Sequence, residues 1–291
     1  MIMKKRFNTA GPCKADVHYM LPAGDCLPEL KPLNLKNESL VINRSGDRKF
    51  FRLAEVSLLV IHAGVQLTSV VIAELMDRGI ETIFLKQDGQ FRGRLQGSFH
   101  TNPMLRLAQY QVVDSTFGMA IAQKLIEGKI RNQRVILQRR NRQPPLDLIN
   151  ALLSWGYGVL LARVFAAAVL AGLDPYFGFF HVTQPYRPNL ALDLMEEFRP
   201  VVVDAAVIAI IQANLLDPTD LEPSPDGAGI WLGVIAKKLF LRQLEQQFST
   251  PFIYPSQNRK LRLSQILVEQ AMAFGRCLLE RSLDYQPYVI K

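Results

Sequence analysis

The sequence has little that would mark a secreted or membrane-embedded protein. Only three of its 291 residues are cysteines, and Cys13, Cys26 and Cys277 form neither an even framework nor a CxxC pair. Such isolated thiols are typical of a reducing, cytoplasmic compartment. The basic N-terminus lacks the apolar stretch of a secretory signal. We expect no membrane span, because Arg163 and Gly172 interrupt the most apolar run.

Several common catalytic motifs are also missing. The chain contains no Walker-type phosphate loop, no GxGxxG turn and no GxSxG nucleophile elbow. Its 49% hydrophobic and 21% charged residues exclude general disorder, and its length suffices for one large or two modest domains. The net charge of +8 permits a nucleic-acid or other anionic partner but does not prove one.

The pattern along the chain predicts an α+β protein with a small β-rich N-terminal domain and a larger all-helical domain. Residues 1–37 are rich in Pro, Gly, Asn and Lys, and we expect a poorly structured extension there. Residues 38–100 contain four short runs rich in Val, Ile and Phe, separated by turn signals, with one short helix between them. Residues 101–291 have helical spacing, including a very apolar helix at 147–171.

A basic segment lies between Lys124 and Arg142. It carries seven cations against one acid, Glu127. On a helix, such a density of charge would attract a phosphate backbone and make binding salt-dependent. A solvated helix face is an equally good interpretation. The seven residues predicted to bind DNA are Lys124, Lys129, Arg131, Arg134, Arg139, Arg140 and Arg142.

A second group combines one histidine with acids downstream of it. His181 ends the segment FGFFH, and Asp193 and Glu196 are spaced to share one face of a following helix. One imidazole and two carboxylates could hold Mg²⁺ or Mn²⁺ and assist phosphodiester chemistry. From the residues alone, a capping histidine with two surface acids is the better interpretation.

Six separated blocks resemble one known family. They are GVQLTSVVIAELMDRGIETIFL, GQFRGRLQG, KIRNQRVILQRR, INALLSWGYGVLL, AGLDPYFGFFH and NLALDLMEEFRP, in that order. The chain is similar to the CRISPR-associated adaptation endonuclease and integrase (Cas one). The resemblance implies a dimerising β-sandwich-like N-terminal domain and a helical catalytic domain. It also implies a homodimer that binds double-stranded DNA, works with a small partner (Cas two), and inserts spacers into the repeat array by Mn²⁺- or Mg²⁺-dependent phosphoryl transfer.

The resemblance also implies a metal site made of a Glu, a His and a further acid. The histidine corresponds to His181 and the acid to Glu196, with Asp193 as a neighbouring second carboxylate. The position of the Glu falls on Arg163, and no Asp or Glu occurs from residue 148 to 173. Because an unpaired buried guanidinium is costly, we expect Arg163 to form an ion pair with Glu196 or Asp193. In the alternative, Arg163 turns outward and leaves a weaker metal site.

Two functions therefore remain open from the sequence. One is a metal-dependent DNA endonuclease and integrase of spacer acquisition. The other is a catalytically impaired relative that serves as a DNA-binding or assembly subunit, and Arg163 favours this second function.

Overall fold

The structure is a computed structural model, and it describes ten stretches of the chain. These are residues 17–21, 33–44, 47–61, 65–86, 91–97, 102–138, 146–181, 187–223, 230–255 and 257–290.

Two sheets form the N-terminal part. The first is mixed, with strand order β1-β5-β6-β7, and the second is an antiparallel meander of β2, β3 and β4. The strands are β1 Val17–Leu21, β2 Asn34–Lys36, β3 Ser39–Arg44, β4 Asp47–Arg52, β5 Val56–Ile61, β6 Glu81–Leu85 and β7 Phe91–Leu95. Strands β1, β5 and β6 are parallel, and β7 is antiparallel to β6.

Helix α1 (Ser69–Asp77) connects the parallel strands β5 and β6. The side chain of Thr68 accepts a hydrogen bond from the backbone N–H of Val71, which caps the helix start. Gly79 has a φ of 63° just after the helix, a conformation that glycine adopts without strain. Thr68 and Gly79 therefore fix the two ends of the helix.

Strands β1 and β2 correct the prediction that residues 1–37 are a poorly structured extension. The prediction is wrong for both segments, because β1 pairs with β5 and β2 pairs with β3. Leu33, just before β2, is buried in the N-terminal core. Strand β1 pairs with a strand about 40 residues later, and β2 has only three residues, so neither gives a clear alternating pattern in the sequence. Most of the remainder of 1–37 lies outside the described residues.

The second part is helical, which confirms the predicted α+β class. Its helices are α2 Pro103–Val112, α3 Thr116–Gln138, α4 Leu146–Leu170, α5 Asn189–Met195, α6 Ala205–Gln212, α7 Val234–Ser249 and α8 Leu263–Glu280. Two hairpins interrupt them. The first pairs β8 (Leu221–Pro223) with β9 (Ile230–Leu232), and the second pairs β10 (Pro251–Tyr254) with β11 (Arg259–Arg262).

Helix α4 runs through the centre of this part. By length and composition alone, its segment Leu148–Leu170 is long and apolar enough to cross a membrane. However, 67% of its most apolar window is buried inside the protein. This burial is what the central helix of a protein core requires.

The C-terminal residues 282–290, here called the strap, cross the helical part without regular structure. Tyr285 and Tyr288 are buried, and the ring of Tyr288 stacks on Phe198. Asn132 of α3 donates to the backbone oxygen of Tyr288 at 2.7 Å and accepts from the N–H of Ile290 at 2.9 Å. The amide nitrogen and the amide oxygen of Asn132 therefore both hydrogen-bond the strap and hold it on α3.

A glycine on α3 makes this close approach possible. A Cβ added to Gly128 would lie 2.5 Å from Cβ of Pro287 in the strap. We expect Gly128→Ala to displace the strap, at a cost of about 1–3 kcal/mol that outweighs the helix propensity gained. Hydrogen exchange in residues 282–290 should become faster than in the wild type.

Gly93→Ala is the matched control, because nothing lies within 4 Å of a Cβ added there. If exchange in the strap is the same in the Gly128 and Gly93 variants, this account of the contact is wrong.

Candidate functional site

Three carboxylates are buried together where α5 ends. Asp193, Glu196 and Glu197 have relative exposures of 1%, 2% and 0%. A buried carboxylate is costly unless cations or hydrogen-bond donors compensate it. Each of the three acids is compensated in a different way, and the three sets of partners define the candidate site.

Asp193 holds the loop that carries His181. Its Oδ2 accepts the backbone N–H groups of Phe179 and Phe180 at 2.5 and 2.9 Å. Its Oδ1 accepts the backbone N–H of His181 at 3.0 Å and lies 2.6 Å from Nδ1 of the same residue. A Cβ on Gly178 would lie 2.7 Å from Oδ2 of Asp193, so glycine is needed for this approach. Both oxygens of Asp193 are therefore occupied by the loop.

Glu196 is paired with two cations of the protein itself. Its Oε2 lies 2.7 Å from Nζ of Lys129 on α3, and its Oε1 lies 3.3 Å from Nε of Arg199. The Arg199 guanidinium also lies over the ring of Tyr157, at 4.8 Å from its centroid. Lys129, predicted as a DNA contact, thus reaches into the helical core and meets a carboxylate there.

Glu197 connects the acid cluster to the strap. It accepts hydrogen bonds from the hydroxyl of Tyr285, from the backbone N–H of Tyr288 at 2.6 Å and from Nε2 of Gln270 at 3.0 Å. Burial raises the pKa of Glu197 to about 7, although these three donors act in the opposite direction. Its backbone oxygen accepts from Asn132 at 2.9 Å, which adds a second tie to α3.

The predicted ion pair of Arg163 with Glu196 or Asp193 does not form in the structure. Its side chain is buried in α4, and Nη2 donates to Glu245 of α7. The guanidinium lies over the ring of Phe248, 4.1 Å from its centroid. The prediction is wrong because Glu245, at 33% exposure, supplies the anion from another helix. Nε and Nη1 of Arg163 have no hydrogen-bond partner.

The described residues do not fit Mg²⁺ or Mn²⁺. Both ions prefer several oxygen ligands, but Asp193 already binds its loop and Glu196 is paired with Lys129 and Arg199. At the position where the resemblance implies a further Glu, the chain carries the buried cation of Arg163. Within the part of the chain that the structure describes, no group of three or more His, Cys, Asp or Glu could hold a metal ion.

The remaining predicted DNA-binding residues lie on α3 and beyond it. Arg134 is exposed, Lys124 is half-buried, and Arg131 forms an ion pair with Glu127 one turn earlier. Arg139, Arg140 and Arg142 lie outside the described residues.

Sequence reasoning missed three residues that complete the site. Arg199 follows Glu196 by three positions, a spacing that could have indicated a helical ion pair. Glu245 and Tyr285 are 82 and 88 residues from their partners and gave no local signal.

Comparison with known proteins gives consistent matches. A family model described as "CRISPR associated protein Cas1" matches residues 29–142 and 135–246. A "CRISPR-associated endonuclease Cas1 1" of Moorella thermoacetica is 27% identical over 328 aligned residues, covering 89% of this chain and 95% of the relative.

Two solved structures share the fold. A CAS1 protein from Thermotoga maritima has a TM-score of 0.74 at 18% identity, covering 90% of this chain and 96% of that chain. A "Cas6-RT-Cas1--Cas2 complex" has a TM-score of 0.75 at 21% identity, covering 94% of this chain and 36% of that chain. The family resemblance seen in the sequence blocks is thereby confirmed.

The ion pair of Arg163 with Glu245 is testable by charge reversal. We expect Arg163→Glu to lower the free energy of unfolding by about 3–5 kcal/mol, because it buries a carboxylate beside another one. The double variant Arg163→Glu/Glu245→Arg should recover part of this loss in urea unfolding. A double variant no more stable than Arg163→Glu would contradict the pairing.

Glu197 should make stability depend on pH. Its pKa is raised from 4.5 to about 7 in the folded protein, so folding favours the protonated form. The contribution to stability is full below about pH 4.5 and is lost as the pH rises to about 7, on the order of 3 kcal/mol in total.

Glu197→Gln removes this titration. Urea unfolding at several pH values should give a flatter profile for the variant than for the wild type between pH 4.5 and 7. We expect the variant to be less stable at every pH, because its amide cannot accept from all three donors. The comparison therefore uses the pH dependence of unfolding and not its absolute free energy. Parallel profiles of variant and wild type would rule out the raised pKa.

Proposed function

The chain belongs to the Cas1 family, and we propose that it acts in CRISPR spacer acquisition as a DNA-binding and assembly subunit without a divalent metal at its carboxylate cluster. The observation that carries this proposal is the pairing of Glu196 with Lys129 and Arg199. Two cations of the chain take the charge role that a metal ion would have in an active nuclease.

The surroundings of Glu196 support this assignment. A divalent ion would have to displace Lys129 from a carboxylate at 2.7 Å, and it would find Asp193 already accepting three backbone N–H groups. At the position where the resemblance implies a further Glu, Arg163 supplies no oxygen ligand. The cluster is therefore better suited to fixing local structure than to polarising a phosphate.

Binding of double-stranded DNA is supported by charge on α3. Arg134 is exposed there, and the sequence continues into three more arginines between residues 139 and 142. Cations spaced along a helix can follow a phosphate backbone without reading sequence, and such binding weakens as salt rises. The net charge of +8 agrees with an anionic partner.

The proposed assembly is a homodimer joined through the N-terminal domain, working with a Cas2 partner. A fold shared with a "Cas6-RT-Cas1--Cas2 complex" supports this partner class. In such an assembly, a subunit without chemistry of its own can still hold DNA and position a second, active subunit.

A metal-dependent endonuclease and integrase is the second candidate. One observation favours it: Nδ1 of His181, the histidine that the family resemblance assigns to the metal site, lies 2.6 Å from Oδ1 of Asp193. Such a hydrogen bond is the usual way in which a metal-binding histidine is oriented.

DNA binding and metal chemistry separate the two candidates. We expect the chain to bind a labelled DNA duplex in EDTA as tightly as in Mn²⁺, and calorimetry to detect no saturable Mn²⁺ site. Mn²⁺ should produce neither nicking nor half-site integration. The proposal fails if Mn²⁺ binds at one site, or supports integration, and Glu196→Gln or His181→Ala abolishes the effect.

A further inference from the structure

The hairpin of β10 and β11 is a feature that the proposed function does not use. It joins α7 to α8 and lies beyond residue 246, where the family-model match ends. Its register pairs Pro251 with Arg262, Phe252 with Leu261, Ile253 with Lys260 and Tyr254 with Arg259. Opposite residues in an antiparallel pair project from the same face, so this register divides the hairpin into two faces.

The inner face anchors the hairpin to the helical core. Leu261 and Tyr254 are buried, and Phe252 packs against the same core. The hydroxyl of Tyr254 donates to Oε1 of Gln270 on α8 at 2.7 Å. Because this face is fixed by packing and by a buried hydrogen bond, the outer face is held in a defined orientation.

The outer face combines cations with an exposed apolar side chain. Ile253 is 57% exposed, Lys260 lies directly opposite it, and Arg262 lies diagonally across the pair. Arg259 lies opposite Tyr254 and so on the other face, near the turn, where it forms an ion pair with Glu269 at 3.0 Å. Residues 251–262 contain three cations and no acid, so the hairpin is a positively charged ribbon.

We propose that this outer face is a second contact for duplex DNA, with Lys260 and Arg262 on the phosphates and Ile253 in the minor groove. The inference rests on the proposed function in that the chain binds DNA. Two-stranded ribbons can lie in a DNA groove, and minor-groove proteins use an apolar wedge flanked by basic side chains to unstack and bend the duplex.

Charge and shape favour DNA over a protein partner. An apolar protein surface would leave Lys260 and Arg262 desolvated without anions, whereas a phosphate backbone supplies closely spaced anions for both. Ile253 lies on the neighbouring strand, opposite Lys260 and diagonal to Arg262, so it can enter the groove while both cations meet one phosphate backbone. The hairpin would then hold the duplex at a site separate from α3.

The experiment compares two double variants in duplex binding by fluorescence anisotropy at several salt concentrations. Lys260→Ala/Arg262→Ala should weaken binding on the order of tenfold and reduce the slope of log K against log salt by about 2. The control Arg242→Ala/Arg276→Ala removes the same charge from exposed positions on α7 and α8 and should retain the wild-type slope. Thermal unfolding checks that both variants are folded.

Ile253→Ser tests the wedge. We expect the salt slope to stay as in the wild type, and end-to-end energy transfer across the duplex to show less bending. Wild-type bending in the Ile253 variant would overturn the minor-groove placement.

The outcomes distinguish this inference from the proposed function. If the wild type does not bind duplex DNA, both are overturned. If the wild type binds and Arg134→Ala weakens it, but the hairpin variant matches its control, the hairpin inference fails and the proposed function stands.

Discussion

The burial of three neighbouring carboxylates is the constraint on which the helical part depends. Asp193, Glu196 and Glu197 lie within five residues and are all buried, so each needs donors or cations brought to it by another segment. Asp193 accepts hydrogen bonds from the loop at His181, and Glu196 forms an ion pair with Lys129 of α3. Glu197 accepts hydrogen bonds from the strap. One charge requirement thus fixes the relative positions of three separate segments.

The same requirement underlies our proposal that the cluster works without a divalent metal. A metal ion would neutralise several carboxylates at once. Here the backbone of a loop donates to Asp193, two cations pair with Glu196, and a tyrosine hydroxyl donates to Glu197. Arg163 takes no part in it, because its own anion is Glu245 on α7. The buried arginine instead stabilises the packing of α7 on α4 through an ion pair and the ring of Phe248.

Local and nearly local signals in the sequence predicted a large part of this arrangement. The change from short apolar runs to helical spacing identified the α+β class, and the family blocks pointed to His181 and Asp193, which hydrogen bonds join in the structure. The errors came from contacts between distant segments. The partner of Arg163 is 82 residues away, β1 pairs with a strand about 40 residues later, and the strap closes over residues more than 80 positions before it. Lys129 stays a predicted DNA contact, but the run of cations did not reveal its ion pair with Glu196.

A crystal soaked in Mn²⁺ tests the central claim most directly, through anomalous scattering at the manganese edge. The account predicts no anomalous peak among His181, Asp193 and Glu196, with Nζ of Lys129 still at ion-pair distance from Glu196. A peak coordinated by His181 and Glu196, with Lys129 displaced from the carboxylate, would contradict it.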